Sequence, residues 1–241
     1  LGADLLSNAE LYYSQDVIDD SSINIIGAEA HHISEVMRHK INDEIFVTDG
    51  EGNIYKCQIE SISNKNVGCK IIDQSFYQNN FSKITFCLPR IKNNDRLEFA
   101  LEKSIELGIT NFIVFESKRT VAKGGKLERW NKIAISSMKQ SLRAWLPQIN
   151  YEKKITNLFK YEGKKIFFDQ NAKQTLNDFL NRNINSLVSD NYYFLFGPEG
   201  GFDNDELRIE NYELSIRLTD NRLRSETAVI SAAVILSTHL K

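Results

Sequence analysis

Phe194-Leu195-Phe196-Gly197-Pro198-Glu199-Gly200-Gly201-Phe202 is the stretch on which the fold turns. An apolar run ends abruptly in three glycines, a proline and a carboxylate. Glycine tolerates positive φ and lets backbone N–H groups come close to a ligand, while proline fixes a turn. The run predicts a buried strand of an α/β sheet that ends in a tight ligand-binding loop, the usual place for a ligand in such sheets. Alone, it reads equally well as a sharp strand-to-helix turn.

Its surroundings favour the α/β reading. Lys165 to Phe168 and Tyr192 to Phe196 are short apolar runs suited to a sheet covered on both faces, with a helical stretch around Leu176 to Leu180 between them. Upstream, Lys83 to Leu88 reads as a strand, and Asp95-Arg96-Leu97-Glu98 has the acid-x-x-Glu form of a helix start. Leu97, Ala100, Leu101, Ser104 and Ile105 supply a buried stripe, Gly108 stops the helix, and Phe112 to Phe115 is the next strand. A second helix, Leu127 to Leu142, buries Trp130, Ile133, Ala134 and Met138 before Pro147.

Downstream lies Leu218-Thr219-Asp220-Asn221-Arg222-Leu223-Arg224-Ser225-Glu226-Thr227-Ala228, a charged link into the last helix. Ser225 is placed to cap that helix, although Ala228 stands where a capping box wants Glu. Thr227 to Lys241 is apolar nearly all round, so it threads the core or covers a partner subunit.

The amino-terminal third follows a different rule. After His31-His32 and a short helix to Arg38, Glu44 to Thr48 and Asn53 to Glu60 flank the turn Asp49-Gly50-Glu51-Gly52. Tyr55, Cys57 and Ile59 alternate with polar neighbours, as do Val67, Cys69 and Ile71. The pattern predicts a small β-barrel over residues 10–73, a polar linker from Gln74 to Ser82, and an α/β domain over residues 83–241.

A length of 241 residues, 41% of them hydrophobic and 26% charged, suits a soluble globular chain. No stretch approaches the roughly 20 apolar residues that cross a bilayer, and no signal peptide is evident, so a cytoplasmic location is expected. Ser7-Asn8-Ala9 resembles a cloning remnant, and Leu1 to Ala9 are set aside. Cys57, Cys69 and Cys87 lack disulfide or zinc spacing and read as core thiols; His31, His32, His39 and His239 suggest no metal site. The net charge of -2 conceals a basic segment: Lys83 to Lys132 carries 11 Lys/Arg against 6 Asp/Glu, leaving 19 against 26 elsewhere. There is neither a Walker loop nor a Gly-x-Gly-x-x-Gly after an early strand.

Taken together, the Gly-Pro-Glu-Gly-Gly loop and the Leu-Arg-x-Glu-Thr-Ala run resemble signatures of the 16S rRNA uracil-N3 methyltransferases of the SPOUT superfamily. Further matches are His32 to Arg38 with Asp43, Glu106-Leu107-Gly108 within Lys92 to Gly108, and Gln140-Ser141-x-Arg143 with Pro147. The resemblance implies a PUA-like barrel that helps to bind RNA, then an α/β domain tied in a deep trefoil knot. Chains are otherwise expected not to thread loops, so periodicity alone would give an open doubly wound sheet. It also implies a homodimer, S-adenosylmethionine bent into the knot, and 16S rRNA within the small ribosomal subunit as substrate. Thr219 departs from the pattern, standing where glycine is frequent, as does the pair Asn221-Arg222.

Methyl transfer from a sulfonium needs an in-line nucleophile held at attack distance. Uracil N3 carries a proton at neutral pH, so a base and a cation are expected. Arg224 is the cation best placed to steady negative charge on the uracil, and Glu226 and Glu199 are the acids of the matched motifs. Each acid reads equally as an ion-pair or helix-start carboxylate. By resemblance, the amides of Phe196, Gly197 and Gly201, together with Pro198, Glu199, Leu218, Leu223 and Ser225, hold the cofactor. Arg38, Lys118, Arg119 and Arg143 are the candidates for RNA phosphates. The residues leave open a knotted enzyme acting at another RNA position, such as a ribose hydroxyl, and a non-catalytic RNA-binding or assembly protein.

Overall fold

The computed structural model describes residues 10–19, 21–203, 206 and 214–240. Leu1 to Ala9 lie outside them. Two compact units are formed: one takes the described residues up to Asn79 with Met138–Leu146, the other takes Asn80–Ser137 with Pro147 onward.

The first unit contains β1 (Leu11–Tyr13), β2 (Val17–Asp19), β3 (Ser22–Ile26), α1 (Gly27–His31) continuing as a π-helical turn over His32–Val36, β4 (Glu44–Thr48), β5 (Asn53–Ile62) and β6 (Asn66–Phe76). Their sheet runs β1-β4-β5-β6-β3-β2, antiparallel except for β1 with β4. It curls as a half-barrel around Tyr12, Ile25, Ile33, Val47, Cys57, Ile59 and Val67. No ladder among the described residues joins β1 to β2, but Ser14, just past β1, bridges the gap: its Oγ donates to the Asn24 carbonyl of β3 at 2.7 Å. The alternation expected of β5 holds, with Tyr55, Cys57 and Ile59 buried; in β6 Val67 and Cys69 are buried and Ile71 half-buried. Burial pushes both thiols up to about 12, as befits inert core residues.

The expected linker begins later than its polarity suggests. Gln74, Ser75 and Phe76 are strand residues paired with Tyr55, Ile54 and Asn53. An edge of polar side chains is compatible with a strand whose outer face meets water. Met138–Leu146 also group with this unit: Ala144 packs with Leu11 and Ile54, and the Trp145 indole donates to the Tyr77 carbonyl at 2.6 Å.

The second unit contains β7 (Ile84–Pro89), α2 (Asn94–Glu106), β8 (Asn111–Phe115), α3 (Leu127–Gln140) as far as Ser137, β9 (Gln148–Glu152), β10 (Lys164–Phe168), α4 (Leu176–Asn183), β11 (Tyr192–Leu195), β12 (Leu214–Ile216) and α5 (Ser225–His239). The sheet order is β12-β10-β11-β7-β8-β9, parallel throughout. Both faces are covered, so the central strands β7, β8 and β11 are mostly apolar, whereas the edge strand β9 carries Gln148, Asn150 and Glu152.

Helix starts correct two expectations. The cap of α2 is Asn93, whose Oδ1 accepts from the amides of Asp95 and Arg96, and Asp95 lies in the first turn. An Asn two residues earlier outcompetes the acid because its side chain reaches two orphan N–H groups at once. Ser225 is the first residue of α5 rather than its cap; Arg224 occupies the cap position and makes no side-chain capping bond. The stripe of α2 is buried as expected, and Gly108 follows at φ 103°, where glycine carries no steric penalty. In α5, Val229, Ala232, Ala233 and Leu236 are buried, with α2 and α4 against the helix, while Val234 is 44% exposed.

Candidate active site

Because β10, β11 and β12 are parallel neighbours, their carboxyl ends release three loops along one edge of the sheet. The segments 167–171, 196–202 and 216–225 line a cavity of about 880 Å³, completed by Arg96 from the first turn of α2 and by Ala228 from α5. Such volumes fall within the roughly 300–1,000 Å³ typical of cofactor sites.

Phe196, Gly197, Pro198, Glu199, Gly201, Leu218, Leu223, Arg224 and Ser225 all line this cavity. The Phe196 ring stacks on Phe168 at 4.6 Å and leans on Phe86 at 5.1 Å, so the glycine loop leaves from a rigid aromatic floor. Two of the three amides assigned to the cofactor are otherwise engaged. Phe196 N–H donates to Cys87 at 3.0 Å, continuing the sheet ladder, and Gly201 N–H donates to Pro198 at 2.8 Å. Gly197 N–H has no partner among the described residues. Gly201 holds φ 69°, a conformation that L side chains avoid. Thr219, the departure from glycine, closes its own turn: Oγ1 donates to the Asn221 carbonyl and accepts from its amide.

Arg96 is the residue that motif reading missed. Its Nη1 lies 3.3 Å from Glu199 Oε1 and its Nε 3.5 Å from Glu226 Oε1, so one guanidinium serves both candidate acids. Glu226 is not in the cavity lining; its Oε2 is buried without a partner among the described residues. This geometry supports the ion-pair reading of both carboxylates. A double-mutant cycle of Arg96→Gln and Glu226→Gln in urea is expected to give a coupling on the order of 1 kcal/mol. Additive effects would remove the pairing.

Arg224, by contrast, is exposed, and its guanidinium has no hydrogen-bond or ion-pair partner among the described residues. Lys118 and Arg119 face the glycine loop: Arg119 Nη1 donates to the Gly200 carbonyl at 2.7 Å, and Lys118 Nζ pairs with Asp203 at 3.2 Å. Arg38 and Arg143 belong to the first unit, and both are exposed; Arg38 has φ 58°, unusual for a side-chain-bearing residue. His39 is hydrogen-bonded to Asp43 and Tyr12, and no group of metal-binding side chains occurs among the described residues. No helix among them is long and apolar enough to cross a membrane.

An all-parallel sheet with a roomy cavity beyond its strand ends, glycine-lined and rimmed by an exposed arginine, defines a ligand-binding domain of the α/β enzyme class. Residues 78–237 match the family described as RNA methyltransferase domain, and residues 25–72 match RNA methyltransferase PUA domain. Ribosomal RNA small subunit methyltransferase E of Bacillus subtilis is 27% identical over 236 residues, 92% of each chain. That of Mesomycoplasma hyopneumoniae is 31% identical over 212 residues, 83% of this chain and 87% of the relative. A probable rRNA-methyltransferase from Porphyromonas gingivalis superposes with a TM-score of 0.79 at 27% identity, covering 96% of this chain and 98% of the other. The fold is also that of a small subunit methyltransferase E from Neisseria gonorrhoeae bound to S-adenosyl methionine: TM-score 0.83, 24% identity, 96% and 98% coverage. The chain belongs to the ribosomal RNA small subunit methyltransferase E family.

Proposed function

We propose that this protein transfers the methyl group of S-adenosylmethionine to N3 of a uracil in 16S rRNA of the small ribosomal subunit, as a cytoplasmic homodimer. The observation that carries the proposal is the cavity itself, built by three strand-end loops and rimmed by Arg224, whose guanidinium has no partner among the described residues. The residues present suit the cofactor: Phe196, Ile216, Leu218 and Leu223 offer apolar walls, and Gly197 offers an amide without a partner among the described residues. Pro198, Glu199, Gly201 and Ser225 complete the cradle. Bound there, the cofactor supplies an electrophilic methyl on a positively charged sulfur.

What the chain adds is placement and charge. Arg224 stands at the rim to steady the imide anion as the N3 proton passes to solvent water at the open mouth of the cavity. Glu226 and Glu199 remain the nearby acids, tied to Arg96, and their first role is to hold the two loops that bear Arg224 and the glycines. Arg38 and Arg143 are the phosphate contacts of the first unit. The partly open apolar face of α5, with Val234, suits a second copy of the chain.

The test is methyl transfer from labelled S-adenosylmethionine to small subunits lacking the modification, followed by mass spectrometry of the nucleosides. The expected product is 3-methyluridine. A methylated ribose would overturn the position and keep the fold, and failure to bind the cofactor would favour the assembly-protein reading.

A further inference from the structure

The cations of the 116–126 segment present a puzzle for any RNA-binding role. Lys118 and Arg119 share one acid: Lys118 Nζ lies 3.2 Å from Asp203 Oδ1, and Arg119 Nη2 lies 3.7 Å from Asp203 Oδ2. Lys123 is paired with Glu116 at 3.1 Å. Asp203 beside Lys118 and Arg119, and Glu116 beside Lys123, lower the local positive charge and weaken the pull on a phosphate. One of the five N–H donors of Arg119 is committed to the Gly200 carbonyl at 2.7 Å, which fixes the guanidinium against the loop.

The same contacts are well made for another purpose. The Arg119 side chain lies along the glycine loop so closely that a Cβ added to Gly200 would stand 3.5 Å from its Cβ and Cδ. Glu206 is buried, 7% exposed, and its two oxygens divide between two segments. Oε1 accepts from Lys118 N–H and Oε2 from Asp203 N–H, both at 2.8 Å. A buried carboxylate that receives two backbone amides is satisfied by charge-assisted bonds and fixes both donors. The Gly200–Gly201 peptide is therefore held at both ends, its carbonyl by Arg119 and its N–H by Pro198.

We infer that Arg119 and Glu206 are positioning residues that preset the glycine loop for the cofactor, and that Arg119 is not an RNA contact. The inference rests on the cofactor occupying this cavity. A loop that samples its binding-competent form less often binds more weakly by that fraction. Loosening the tie thus raises the Kd for the cofactor without touching RNA affinity.

Three variants of the full chain test it: Arg119→Ala, Arg119→Lys and Glu206→Gln, the last isosteric but with an NH2 facing one of the two amides. Calorimetry with S-adenosylmethionine is expected to show about a tenfold higher Kd for Arg119→Ala and Glu206→Gln, with Arg119→Lys between. Filter binding of small-subunit RNA at several salt concentrations is expected to leave the Kd and its salt slope unchanged for Arg119→Ala. Hydrogen exchange of residues 197–203 in the free protein should quicken in both loosening variants. The opposite pattern, unchanged cofactor Kd with weaker RNA binding and a salt slope smaller by about one, would overturn the inference. A wild-type chain that binds no S-adenosylmethionine would refute the proposed cofactor, while the exchange measurement would still decide whether these residues set the loop.

Discussion

Replacing Arg224 with alanine is expected to lower kcat by about 100-fold or more, the scale seen when a preorganised donor to a developing anion is removed. The Kd for S-adenosylmethionine should move by less than about twofold. The reason is geometric: the side chain is exposed at the rim and engages no described residue, so its loss disturbs neither the aromatic floor nor the glycine loop. A cation reserved for the substrate affects the transition state and leaves ground-state cofactor binding alone. Calorimetry and single-turnover methylation on the same preparation measure both quantities. Equal losses would make Arg224 a cofactor ligand instead.

Phe196→Ala should produce the largest loss of stability among the cavity residues, about 3–5 kcal/mol by urea denaturation. Phe196 is 1% exposed and its ring meets both Phe86 and Phe168, so truncation opens a hole in the floor rather than trimming a rim. The same hole sits where the glycine loop begins, and cofactor binding should fall with it. A loss below about 1 kcal/mol would mean that the floor collapses around the gap and that its rigidity does not shape the site.

Much of this was legible in the residues because local rules produce local structure. Alternation at Tyr55, Cys57 and Ile59 and the stripe of α2 name the buried faces directly. The density of glycine, proline and charge at Gly197 to Gly201 and at Leu218 to Ser225 marks two strand-end loops, and both line the cavity. Glycine density does not tell which amides are uncommitted, and Phe196 and Gly201 spend theirs inside the fold. Pairings across long sequence separations leave no local trace at all. Arg96 reaches Glu199 across 103 positions, and Lys118 reaches Glu206 across 88. The return of Met138–Leu146 to the first unit is hidden for the same reason, since Ala144 and Trp145 look like ordinary helix-end residues until their partners are known.

The central claim is that the cavity delivers a methyl group to a ring nitrogen that normally pairs. A methyl at uracil N3 removes the donor of the Watson–Crick edge, so reverse transcription halts there. After small subunits lacking the modification are incubated with this protein and S-adenosylmethionine, primer extension along 16S rRNA should show one new strong stop at a uridine, absent with Arg224→Ala. Methyl incorporation with no new stop would place the group on an atom outside the pairing edge and contradict the account.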